Sequence, residues 1–133
     1  MAEMVFLHKH AEKSGKKVVL VSSHSLSHRH FVTEAPLPED MSREHIYNHS
    51  QYVWDMKIID MFREGKMQEV VDIMPEYTEQ TIAETEAGGL IWMMAAMGVP
   101  SYPAEIYGYQ SVIGTGNCIA CWDPNTNTRE LVL

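Results

Sequence analysis

Three groups of side chains in this sequence have the types and spacing that chemistry asks for. His24, His28 and His30 share one short stretch rich in serine; His45 and His49 stand four apart; Glu84 and Glu86 stand two apart beside Gly88-Gly89. Imidazole ligates metals and passes protons near neutral pH, and a carboxylate can ligate a cation or hold a charge. His45 and His49 would share a helix face, but without the glutamate of a His-Glu-x-x-His motif they read as a polar surface. Cys118 and Cys121 form a Cys-x-x-Cys, yet no second pair completes a zinc site, so they read as buried free thiols.

These groups must be positioned by elements that the apolar pattern predicts. Residues 17–21, Lys17-Val18-Val19-Leu20-Val21, are a β-branched run of the kind buried on both faces of a sheet. The three histidines follow it directly, where α/β proteins bind their ligands. Residues 2–13 read as a helix closed by Ser14-Gly15, giving the second half of a βαβ crossover whose first strand is not in this sequence. Residues 32–40 read as a proline-rich loop. A helix is predicted from Ser42 to about Glu64, with Ile46, Ser50, Val53, Trp54, Ile58, Met61 and Phe62 as its inner stripe and Gly65 as its end.

A shorter helix through Met67, Val70, Val71 and Met74 should halt before Pro75, which then opens another. That next helix runs to Gly98 and cannot be uniform: the glycine pair costs about 2 kcal/mol in a helix interior, so a break or a very close backbone contact is expected there. Glu84 and Glu86 would flank it, beside an apolar core. Two strands, residues 104–114 and 118–122, joined by a turn at Thr115-Gly116-Asn117, should close the chain.

At 133 residues and 45% hydrophobic content, the chain fits one domain with a modest core. Residues 1–30 carry five basic and two acidic groups, and the remainder carries five basic and sixteen acidic, for a net charge of −8. The acidic majority argues against nucleic acid and anionic membrane as partners. No apolar run is long enough to span a bilayer and the first residues lack a secretion pattern, so a soluble, cytoplasmic protein is expected.

Leu26-Ser27-His28-Arg29-His30-Phe31-Val32-Thr33-Glu34, Asn48-His49-Ser50-Gln51-Tyr52-Val53-Trp54-Asp55, Met74-Pro75-Glu76, and the run from Glu84 through Trp92 with Gly98 together resemble the class III extradiol ring-cleaving dioxygenases. Within that family the likeness is to catalytic beta subunits, those acting on 2-aminophenol in particular. It covers nearly all of residues 1–133 and corresponds to the carboxyl-terminal part of such a catalytic domain.

The resemblance implies an α/β fold, a partial three-layer sheet with helices packed on it. It also implies a non-haem Fe(II) centre of two histidines and one glutamate that inserts O₂ into catechol- or 2-aminophenol-type rings. A facial set of three ligands leaves coordination positions open for substrate and oxygen. By position, His28 matches the family's acid/base histidine and Glu84 its carboxylate ligand, with Glu86 as the alternative. His24 and His30 become substrate-binding candidates.

Both histidine ligands of the family lie ahead of the part matched here. A truncated or split subunit is therefore expected, with His8 and His10 unsuited as substitutes because their helix leads to the opposite end of the strand. A scaffold subunit of the same fold and a small histidine-rich metal protein are the alternatives. An incomplete sheet would expose an edge, so self-association, an amino-terminal half or an alpha-type subunit is expected as partner.

Overall fold

The computed structural model describes residues 9–11, 13–29 and 48–125. The proline-rich loop, the start of the first predicted helix, and His8, His30 and His45 lie outside the described residues. Two helices, α1 (His49–Glu64) and α2 (Met67–Thr81), are followed by a 3-10 turn (Glu84–Ala87), helix α3 (Gly88–Met97) and an antiparallel pair, β1 (Glu105–Val112) with β2 (Thr115–Cys121). Helices on a small sheet are what the α/β expectation requires.

Asn48 caps α1 by accepting from the Gln51 N–H at 2.8 Å, and Gly65 ends it in the left-handed region at φ 70°. The buried face of α1 matches the predicted stripe only in part: Ile58 and Phe62 are buried and Trp54 and Met61 pack partly exposed against the core, while Ile46 lies outside the described residues. Gln51, Asp55, Ile58, Ile59 and Phe62 are buried, while Ser50 and Val53 face outward. Ile58, Ile59 and Phe62 join Met67, Val70, Met74 and Tyr77 of α2 and Leu90 and Met94 of α3 in the core. Helix α2 does not halt before Pro75. Met67, Val70, Met74, Tyr77 and Thr81 form one buried face running across it, and that packing outweighs the single backbone hydrogen bond that proline lacks.

The break expected at the glycine pair falls just before it. Ile82, Thr85, Glu86 and Ala87 all have positive φ, and Gly88 and Gly89 open α3. The close contact is real as well: a Cβ on Gly89 would lie 2.8 Å from Ser22 Oγ and 3.1 Å from His24 Nδ1. The hairpin turns two residues earlier than predicted. Val112 pairs with Thr115, and Ile113 (φ 51°) and Gly114 (φ 80°) form the two-residue left-handed turn that matches strand twist. Cys118 is half-buried and Cys121 exposed, which corrects the expectation of two buried thiols. On a strand of period two, residues three apart face opposite ways.

Residues 17–21 form no ladder among the described residues. Val18, Val19 and Val21 are 52%, 83% and 78% exposed, because no described strand or helix covers both faces of the run. No described helix is long and apolar enough to cross a membrane.

Candidate active site

Beyond the valine run the backbone turns inward and is held on two sides. Leu26 N–H donates to Gly116 O at 2.8 Å and Gly116 N–H to Ser27 O at 2.9 Å. Ser27 also bridges Ala83, and His28 bridges Thr115. The loop therefore lies between the hairpin and the segment that leads into Glu84. The placement is local and specific: Ser25 N–H donates to Glu84 Oε2 at 2.5 Å.

That hydrogen bond holds the Glu84 carboxyl below its ordinary range, helped by the charges of His28 and His24 and opposed by partial burial. Ser22 Oγ lies 3.0 Å from His24 Nδ1. Burial pushes His24 below its usual value, with Glu84 pulling the other way. His24 also faces a cleft of about 260 Å³ whose wall is mainly apolar, including Leu20, Phe62, Leu90, Met93 and Trp122.

His24, His28 and Glu84 thus lie in one neighbourhood. Glu86 does not join them. It is exposed and borders a separate cleft with Val71, Met74, Pro75, Thr78 and Ile91. The left-handed backbone at Thr85 and Glu86 (φ 48° and 54°) turns the chain between the two glutamates. His10 is exposed on a helical turn, and His49 is exposed at the start of α1 beside Tyr52, their ring centroids 6.4 Å apart.

The described residues do not by themselves form a metal cage: no three His, Cys, Asp or Glu side chains among them converge as a cation would need. Among the described residues the set of ligands for iron is therefore incomplete, and a histidine-rich metal protein is not favoured.

Asp55 is the residue that pattern reading passed over. Its side chain is fully buried, and its carboxylate accepts four hydrogen bonds. Oδ1 takes Ser27 N–H at 3.1 Å and Tyr77 Oη–H at 2.8 Å; Oδ2 takes Ser27 Oγ–H at 2.7 Å and Tyr109 Oη–H at 2.7 Å. Burial pushes its carboxyl above the usual range, against the pull of these donors. Tyr77 is driven up as well, by burial and by Asp55.

Gly116 makes room for the group. A Cβ there would overlap Asp55 Oδ2 and stand 2.7 Å from Tyr109 Oη. One signal for Asp55 was present in the sequence: a charged residue four after Gln51 and three before Ile58, on the face that turns out to be buried.

Residues 6–119 match the model of a family described as the catalytic LigB subunit of aromatic ring-opening dioxygenase. Over 111 residues the chain is 48% identical to the 2-aminophenol 1,6-dioxygenase beta subunit of a Pseudomonas species, a match covering 84% of this chain and 36% of that relative. The chain spans little more than a third of the relative's length.

Proposed function

Because this chain belongs to the family of catalytic LigB subunits of aromatic ring-opening dioxygenases, we propose that residues 1–133 carry the acid/base and carboxylate portion of an extradiol centre for catechol- or 2-aminophenol-type rings. The observation that supports this most is that the loop carrying His28 is tied to Glu84, 56 residues further on: Ser25 N–H donates to the carboxylate and Ser27 pairs with Ala83. The His28 imidazole helps to lower the pKa of that carboxyl. In this reading His28 accepts the proton from a ring hydroxyl or amino group and returns it to the product. The depressed pKa of Glu84 keeps its negative charge in place at neutral pH beside that loop. His24, against the apolar cleft, would border the aromatic ring, and His30, two residues after His28 in sequence, would assist.

Fe(II) is the cofactor we propose. Glu84 would be one ligand, preferred to the alternative Glu86 because that side chain faces outward, with the others supplied from outside the described residues. O₂ and the aromatic are the substrates, and the cytoplasm is the proposed compartment. The relative is named as a beta subunit, so an alpha-type partner is proposed as well. The exposed valines of residues 17–21 support a protein surface that another chain or segment covers.

The test mixes the 133-residue chain with Fe(II), air and 2-aminophenol or catechol, with and without the portion of the Pseudomonas relative that this chain does not match. Ring cleavage, read by absorbance, should appear in the mixture and fall about 10²-fold or more in His28→Ala, the size of a lost acid/base group. Glu84→Ala should abolish it and Glu86→Ala should not. Cleavage indifferent to His28→Ala would overturn the assignment, as would a mixture that never cleaves.

A further inference from the structure

The four-donor carboxylate in the core has no part in the chemistry just described, and stability alone does not account for it. Burying a charged group costs several kcal/mol in desolvation, and replacing buried charged networks by apolar residues is often neutral or stabilising. What the group does contribute is geometry. Two of its four hydrogen bonds go to a single residue, Ser27, one to the backbone N–H and one to the hydroxyl. A residue held at both points has neither its peptide plane nor its side chain free to turn. The other two bonds come from Tyr77 on α2 and Tyr109 on β1, so the carboxylate is located by three separate elements before it locates the loop.

Ser27 is also where the candidate residues are joined. On one side Ser25 N–H reaches Glu84 and on the other His28 follows directly; across from Ser27 stands Ala83, the residue before Glu84. We propose that Asp55 is a positioning residue: by gripping Ser27 it sets the backbone placement at which Glu84 is bound by Ser25 and His28 faces that carboxylate. This rests on the functional reading of His28 and Glu84, but it concerns placement and can be measured without turnover.

The experiment compares Asp55→Asn, Ser27→Ala and Tyr77→Phe in the full chain by amide hydrogen exchange and by the NMR signals of the His28 ring. Tyr77→Phe removes one donor from the same carboxylate and leaves both grips on Ser27, so it serves as the stability control. In Asp55→Asn and Ser27→Ala the amides of Ser25 and Leu26 should exchange about tenfold faster relative to core amides of α1, and the His28 ring signals should leave their wild-type position. In Tyr77→Phe the ratio and the signals should stay. Ser27→Ala, the smaller cut, keeps the test decisive should Asp55→Asn fail to fold.

Exchange that quickens in proportion throughout all three variants, with the His28 signals fixed, would overturn the proposal and leave Asp55 a core residue only. Retained ring cleavage in His28→Ala would instead remove the functional reading, whatever these exchange ratios show.

Discussion

Residues 17–21 and residues 25–28 are near neighbours in the chain, and their fates are opposite to their polarity. Val19 and Val21 stand 83% and 78% exposed, while Ser27 is buried against a buried carboxylate. Hydrophobicity per residue would rank them the other way. The difference lies in partners. An apolar extended run is stable only when strands flank it and layers cover it, whereas the serine loop finds the donors and acceptors it needs on α1, β2 and the segment before Glu84. Saturated hydrogen bonding makes the interior habitable for the polar stretch, and lack of cover leaves the apolar one outside.

Asp55→Ala leaves two donors on Ser27 and two tyrosine hydroxyls without their acceptor, and should lower the unfolding free energy by about 3–5 kcal/mol in urea titration. Gly116→Ala comes next. Its methyl meets the Asp55 carboxylate and the strand has to shift, at about 2–3 kcal/mol on the same measurement.

A change at the other pole should do almost nothing. Val19→Lys, at a side chain that touches little, is expected to move stability by no more than about 0.5 kcal/mol. A loss of several kcal/mol there would mean that residues 17–21 are packed after all.

The subtlest effect is one of pH. Burial lowers the folded-state pKa of His24, so as pH falls the unfolded chain binds the proton first. The stability that His24 contributes is therefore complete above the ordinary histidine range and is lost as pH falls through that range towards the depressed folded value. Urea midpoints measured from about pH 7.5 to about pH 5.5 should fall in the wild type and fall less in His24→Gln, the difference isolating this imidazole from Asp55 and Glu84. An identical decline in both proteins would show that the ring is not held in a desolvated place.

Local chemistry carried much of this molecule in plain view. Gly65 ends α1 because glycine tolerates φ 70°; Gly88-Gly89 marks an interruption; and the separation of an apolar run from a histidine loop is written in residue types alone. The loop histidines and the two glutamates were identifiable as candidates for the same reason. Choices between local options were not. Pro75 inside α2, a turn at Ile113-Gly114 instead of residues 115–117, and a buried face of α1 that includes Asp55 each depend on what packs against the element from afar.

The preference for Glu84 over Glu86 is of the same kind. Two residues apart they are equivalent as sequence, and only the left-handed turn between them with the Ser25 N–H waiting on one side separates a held carboxylate from an exposed one. Sequence alone determined which side chains could do chemistry and where helices could end, because those are properties of single residues and their near neighbours. Which of them meet was decided by tertiary structure, since a buried carboxylate is tolerable only where distant donors converge on it.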